Sequence, residues 1–451
     1  MPGRLTRPGM LCINIDLRKG EEKMDILKES LALSDYTTAI RRHLHENPEL
    51  SGREFNTVKL ICEELDKAGV SYVNIPDGGV LACIDGPQSG KTVLLRADCD
   101  ALPIQELPEN AKKAKVCVSH VPGVAHMCGH DGHTAMLLSA AKILSKNRDA
   151  IKGRVYLLFE RGEEGTNNIY YVMKYIQENN IHIDAAFAEH TDTALTAGHV
   201  ACQAGPAHAG AFSYEITLTG KGGHGSRPDK SNNPIDCFVS IYECIKSIRM
   251  NYVDPTVILT NSMGMVKAGE VGNVIPQTLS FAGTCRFYDA AAGNLFKQKL
   301  RRIVEAQAAL FDCQVSFDKM VGPILPVINN DDLSAIGTEA IIKAMGPDAI
   351  QHKDLNMGSE SFSVLSKYYP GVMMRIGIGN EEEGMTVGGH NPGFDLDEKG
   401  LPYGTASYVA VALGFLESDR EIHHEAYNEP MDVLRQFCDQ PVPHRYDSDN
   451  K

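Results

Sequence analysis

The chain has 451 residues, 43 % of them apolar and 23 % charged, with a formal net charge of −14. That is a globular composition, too long for one ordinary domain of about 100–200 residues, so two domains are expected. An acidic excess with no compensating basic patch excludes nucleic acid as a partner, because such binding rests on lysine and arginine neutralising phosphates.

Residues 1–24 read as a poorly ordered leader: the apolar run Met10–Ile15 is shorter than a signal-peptide core and meets charge at Asp16. Nothing approaches the roughly 20 apolar residues of a membrane span. Ser51 and Glu54 have capping-box spacing, and Phe55, Val58, Ile61 and Leu65 follow at helical intervals, with Gly69 as a stop. A helix over 52–68 is expected. Apolar runs then alternate with amphipathic stretches: strand Thr92–Asp98, helix His133–Lys146, strand Arg154–Glu160, a helix carrying Ile169, Val172, Met173 and Ile176, and strand Asp184–His190. Such alternation predicts an α/β fold, a doubly wound, mostly parallel sheet with helices on both faces.

The pattern changes near Gly205. Phe212–Thr219 alternates like a half-buried strand, followed by a helical run Ile235–Met250, strand-like runs Thr256–Met265 and Gln277–Tyr288, and a helix at Gly293–Phe311. This reads as an inserted α+β unit. The α/β pattern resumes after Gly322 with helix Asp332–Ala344, strand Gly371–Gly379 and helix Tyr403–Leu416. The expected organisation is a discontinuous catalytic domain of 25–205 and 320–420, an insertion of 206–319 and a polar tail of 421–451 with no assigned structure. The 12 cysteines are dilute and include no Cys-x-x-Cys pair, so a reduced, cytoplasmic chain is expected.

Histidine and acidic residues gather at the ends of the α/β strands, where ligands of open α/β sheets bind. His126-Met127-Cys128-Gly129-His130-Asp131-Gly132-His133 holds three histidines, a cysteine and an aspartate. In Cys-Gly-His the glycine frees the backbone, letting thiolate and imidazole approach one centre. The plainer reading is a polar loop with Asp131 as helix N-cap and Cys128 as a small buried apolar residue. Glu163-Glu164 lies between glycines after a buried strand. There adjacent side chains diverge, so one carboxylate can bind a metal while its neighbour deprotonates water; the plain alternative is a solvated helix turn. His190 and His390 complete a set of five donors with Cys128, His130 and Glu164, more than one tetrahedral zinc needs and suited to two metals sharing a bridge. Each histidine alone is as compatible with a half-exposed polar residue.

Gly220-Lys221-Gly222-Gly223-His224-Gly225 fits a dinucleotide fingerprint, but Ser226-Arg227-Pro228 and Asn232-Asn233-Pro234 delay the helix that should receive a pyrophosphate. The loop reads better as presenting His224 and Arg227 to an anionic or oxyanionic group, or as a tight turn.

With these residues in place, the chain resembles the dinuclear metallopeptidase superfamily of aminoacylases and carboxypeptidases, and within it the amidohydrolases of N-acyl amino acids, such as hippurate and auxin-conjugate hydrolases. The resemblance runs from about Arg41 to Leu416 and rests on Arg42–Ser51, Arg96-Ala97-Asp98-Cys99-Asp100-Ala101-Leu102-Pro103, Cys128–His133, Gly162-Glu163-Glu164-Gly165, Gly223–Pro228, Gly272-Asn273-Val274-Ile275-Pro276 and His390-Asn391-Pro392. It implies metal ligands at Cys128, His130, Glu164, His190 and His390, with Cys128 bridging, and a general base at Glu163. It further implies an oxyanion donor at His224, a substrate contact at Asn273 and an orienting carboxylate at Asp98. The insertion would be a lid that also mediates dimer contacts. Three stretches depart from the family pattern: Glu160-Arg161-Gly162 for Gln-Pro-Ala, Ala188-Glu189-His190 for Gly-Leu-His, and Ser359-Glu360-Ser361-Phe362 for Ser-Glu-Asp-Phe. All three are expected near the substrate.

The expected function is metal-dependent hydrolysis of the amide bond of N-acyl amino acids or related conjugates, with two divalent ions per subunit (zinc or manganese, with cobalt as a third candidate). A small N-acyl amino acid or peptide-like substrate and a homodimer or higher homo-oligomer are the expected partners, with no membrane. A dipeptidase or aminopeptidase on the same scaffold is the alternative; a non-catalytic metal-binding protein would not need a spare Glu163, and an oxidoreductase rests only on the Gly220–Gly225 loop.

Overall fold

The computed structural model describes residues 24–438. Its central sheet has seven strands in the order Ser71–Ile75, Gly79–Asp85, Lys152–Glu160, Gln88–Asp98, Ala185–Thr196, Gly371–Gly379, Val200–Ala201. The four strands from Lys152–Glu160 to Gly371–Gly379 run parallel, and the edges are antiparallel. Parallel strands are covered on both faces, which is why these segments are unbroken apolar runs rather than alternating ones. Val93, Leu95 and Ala97 face a core shared with helices Ser34–Glu46, His130–Lys146, Asp331–Met345 and Leu401–Glu417. Leu94 faces the opposite core with helices Ile169–Glu178 and Phe362–Tyr368. The sheet is doubly wound, as expected.

Residues beyond Gly210 build a second sheet, antiparallel throughout, in the order Leu259–Ala268, Thr278–Phe287, Gly210–Thr219, Gln314–Ile324. Its alternation is that of a sheet covered on one face: Phe212, Tyr214, Ile216 and Leu218 are buried. They pack on Ile241, Ile245, Phe296 and Leu300 of helices Pro234–Asn251 and Ala290–Leu310, forming a hydrophobic cluster separate from the two that flank the central sheet.

The structure departs from expectation at two ends. The helix after Ser51 begins only at Phe55, and the Ser51 hydroxyl has no hydrogen-bond partner. Glu54 closes no capping box: its carboxylate accepts the Gly52 N–H at 2.7 Å, the Gly162 N–H at 2.9 Å and Arg161 Nε at 2.8 Å. It therefore pins the turn leading to Glu163. Gly69 does end the helix region, at φ +63°. At the other end, the expected tail contains a helix, Met431–Cys438, whose Met431 and Leu434 are buried in the core beside helix Ile169–Glu178. Residues 1–23 of the expected leader and 439–451 of the tail lie outside the described residues. No helix among the described residues is long and apolar enough to cross a membrane.

Candidate metal centre

Four segments around the carboxyl ends of the parallel strands bring the five predicted donors together. Gly129, at φ +85°, opens helix His130–Lys146. A Cβ there would fall 2.3 Å from Thr191 Oγ1, so only glycine lets Cys128 and His130 lie against the strand bearing His190. Cys128 Sγ is 3.5 Å from His190 Nε2. The His390 loop is fixed by its own N–H, which donates to Met127 O at 2.6 Å, and by a left-handed backbone at φ +62°.

The donor atoms form two triads that share one sulfur: Cys128, His130 and His190 lie within 4.8 Å of one another, and so do Cys128, Glu164 and His390. His130 Nε2 is buried without a hydrogen-bond partner, and Glu164 Oε1 lies 2.9 Å from His390 Nε2. Burial pushes the Cys128 thiol up to about 12, so a thiolate here calls for a cation. An orphaned imidazole nitrogen, a shared sulfur and a carboxylate among further imidazoles are a set that divalent metal fits.

The surrounding residues orient these donors. Asp100 Oδ1 holds His130 Nδ1 at 3.0 Å and its Oδ2 accepts the Glu164 N–H at 2.9 Å, so one carboxylate positions a donor of each triad. The sequence signal for Asp100 is its spacing of two from Asp98 in an extended segment, which repeats the side-chain direction. Asp98 accepts from His133 Nδ1 at 2.6 Å and lies 3.5 Å from His130 Nε2. His133 Nε2 accepts the Thr191 N–H at 2.8 Å, which leaves that ring no free nitrogen for a metal. Asp131 is not the helix cap: it pairs with Arg41 at 2.9 Å and His45 at 2.7 Å, both buried.

Glu163 belongs to a separate cluster with His130 and Glu164, and its Oε1 accepts the Ser361 N–H at 3.0 Å. Burial, then the Glu360 and Glu164 charges, push its carboxyl well above the ordinary range. Beneath it, fully buried Arg96 pairs with Glu160 at 2.7 Å, Asp98 at 2.9 Å and Glu360 at 3.1 Å. Two of the family departures meet here: Ser361 Oγ donates to Glu160 Oε1 at 2.7 Å and Arg96 Nη2 donates to Ser361 Oγ at 2.9 Å. Glu160 and Ser361 thus sit around the same arginine. Burial pushes Glu160 up to about 7 against the pull of Arg96. The third departure does not line the cavity: Glu189 is buried against helix Leu401–Glu417, where Ser407 donates to it, and burial pushes its carboxyl well above the ordinary range.

A cavity of about 740 Å³ opens on Cys128, Glu163, Glu164, His190 and His390. His224 and Asn273 line no part of it. They sit together on the exposed pairing of Gly223–His224 with Val274–Ile275, where the Gly225 N–H donates to Asn273 O at 2.8 Å. Arg227 pairs with Asp229 at 2.6 Å, and the next α-helix waits until Pro234, so this loop has none of the geometry of a dinucleotide site.

Comparison with known proteins agrees with this geometry. Residues 94–414 match the family model for peptidase family M20/M25/M40. The chain is 33 % identical over 407 residues to the IAA-amino acid hydrolase ILR1-like 2 of Arabidopsis thaliana, covering 89 % of this chain and 90 % of that protein. It is 34 % identical over 391 residues to thermostable carboxypeptidase 2 of Saccharolobus solfataricus, covering 85 % and 96 %. Among solved structures it superposes on the Bacillus subtilis YXEP protein, a dinuclear metal binding peptidase from M20 family, with a TM-score of 0.70 and 28 % identity over 86 % of this chain and 99 % of that one. The chain belongs to peptidase family M20/M25/M40, hydrolases of amide bonds.

Proposed function

We propose that the chain hydrolyses the amide bond of N-acyl amino acids or related conjugates with two divalent ions. The observation that carries this reading is the pair of donor triads sharing Cys128, with Glu163 left over beside them. Cys128, His130 and His190 would hold one ion; Cys128, Glu164 and His390 the other. The chemistry supplied by two bound divalent cations is polarisation of the amide carbonyl and a lowered pKa for the attacking water. Glu163 takes the proton of that water and passes it to the leaving nitrogen, and the Ser361 N–H holds its carboxylate in place meanwhile. Asp100 and Asp98 keep the His130 and His133 rings oriented. Thiolate with imidazole favours zinc, carboxylate favours manganese, and cobalt is a third candidate.

In this reading residues 206–319 are a lid and dimerisation domain inserted in the catalytic domain of 25–205 and 320–420. His224 and Asn273 then reach substrate by lid closure or from a second copy in a homodimer, His224 donating to the oxyanion and Asn273 holding the substrate. The ten cysteines from Cys62 to Cys313 are free thiols, which supports a reducing cytoplasmic setting. The test is a hydrolysis screen of N-acyl amino acids against dipeptides, with zinc, manganese or cobalt added. Cleavage of the acyl conjugates is expected. Cleavage of dipeptides with the acyl conjugates untouched would replace this reading by a dipeptidase.

A further inference from the structure

The two donor triads meet at Cys128 in front, and a buried chain of charges joins them from behind. Strand Gln88–Asp98 and helix His130–Lys146 are connected by residues 99–129, which contain no helix and only isolated bridges. A connection of that length without regular structure is uncommon in a compact domain and usually serves function. This one is ordered from inside by Glu106. Its Oε1 accepts Lys115 Nζ at 2.8 Å and faces His45 Nε2 at 3.1 Å, while its Oε2 accepts the Ser119 N–H at 2.7 Å.

The chain extends in both directions. His45 Nδ1 meets Asp131 Oδ2 at 2.7 Å, so both ring nitrogens face carboxylates and both donate. Asp131 directly follows the donor residue His130. In the other direction Lys115 Nζ donates to Pro392 O at 3.1 Å, and the Leu107 N–H donates to the same carbonyl at 3.0 Å. Pro392 lies two residues beyond His390. Asp131, His45, Glu106 and Lys115 thus lead from one ligand segment to the other, and none of the four side chains is more than 3 % exposed.

Burying an ammonium group is costly, and a simple loop tie does not require it. Lys113, two residues away, makes such a tie at the surface with Glu383. His390 is the donor that most needs the buried one. Its ring is 56 % exposed and pairs among the described residues only with Glu164, a donor of its own triad, while its backbone is left-handed. We propose that Lys115 is a positioning residue for the triad of Cys128, Glu164 and His390: through Glu106 and His45 it locks the His390 loop to the segment bearing Cys128 and His130, and so sets the spacing of the two metal sites. The proposal rests on the two-ion part of the reading above and not on the identity of the substrate.

The experiment titrates the metal-free full chain with zinc by calorimetry, and with cobalt by visible absorption, which reads the ligands of each ion without turnover. Wild type is expected to bind two ions. His390→Ala removes a donor outright and so identifies the ion held by that triad. Lys115→Met should weaken that same ion by about 10- to 100-fold, the usual cost of losing a residue that orients a ligand, and leave the other ion's affinity and cobalt spectrum unchanged. Lys113→Met should change neither. Should Lys115→Met fail to fold, Glu106→Gln breaks the same chain with the side-chain shape kept and is held to the same outcomes. Unchanged affinity for both ions, equal weakening of both, or the same loss in Lys113→Met overturns the proposal. A single ion bound by the wild type rejects the two-ion reading itself, whatever the variants do.

Discussion

The strand-end rim and the Gly220–Gly225 loop of the inserted sheet both carry histidines in glycine-rich sequence, yet the structure treats them in opposite ways. At the rim four of the five donor residues are held by another group: His130 by Asp100, the Glu164 backbone by the same carboxylate, His190 by the Thr191 carbonyl and the His390 backbone by Met127. In the loop His224 is exposed and its ring is hydrogen-bonded only to Ser226, two residues on, at 2.9 Å. The rim is preorganised chemistry, built before substrate arrives. The loop is a part that must be brought to it. A site divided in this way separates metal binding from substrate closure, and variants in the two regions should fail differently.

The largest effect is expected at the rim. Glu163→Gln should lower kcat by about 10²–10⁴-fold, the usual contribution of a positioned base, with metal content unchanged by elemental analysis. Surviving activity would remove the base assignment. In the loop, His224→Ala should lower kcat by about 10²–10³-fold if it is the oxyanion donor, also with full metal content. An unaltered kcat would mean the loop never reaches the substrate, and the comparison would collapse to a single region.

A milder change sharpens the contrast. Asp100→Asn leaves all five donors in place but weakens the hold on His130 and Glu164, so metal affinity or activity should fall by about 10–100-fold. Chelator competition reads this directly, and an unchanged affinity would show that the rim is not oriented from behind. The smallest expected effect is on stability. Glu160→Gln removes one charge from the buried Arg96 cluster and should cost about 1–3 kcal/mol in denaturant unfolding. Adding Ser361→Asp should recover much of it, because it places an acid on the other side of the same arginine. A double variant no better than the single one would show that the two departures are independent.

How much of this was legible in sequence depended on whether the cause was local. Gly371–Gly379 matches its expected strand to the residue, because a fully buried apolar run ends at glycines on both sides. Strand Ala185–Thr196 runs six residues past its expected end at His190, since Thr191–Thr196 are polar enough to read as loop and are ordered by pairing with Gly371–Gly379. The five donors were readable as clusters at strand ends, where residue type alone is informative. Glu54 was misread because capping-box spacing is a local signal, and its partners Arg161 and Gly162 lie more than a hundred residues away. Glu106 and Lys115 carried no signal at all: each is a lone charged residue in a segment without periodicity, and only the folding of that segment against the His390 loop brings them together. Their lesson is that ligand sets built from one or two segments show in sequence, while buried supports built from many do not.

The central claim is that two metal sites share one sulfur. Elemental analysis of the protein loaded with zinc or manganese and freed of excess ion, wild type beside Cys128→Ser, tests it most directly. The account predicts about two equivalents per chain in the wild type, from two triads of three donors, and a loss from both sites in the variant. One tightly bound equivalent in the wild type, or two retained by Cys128→Ser, would contradict it.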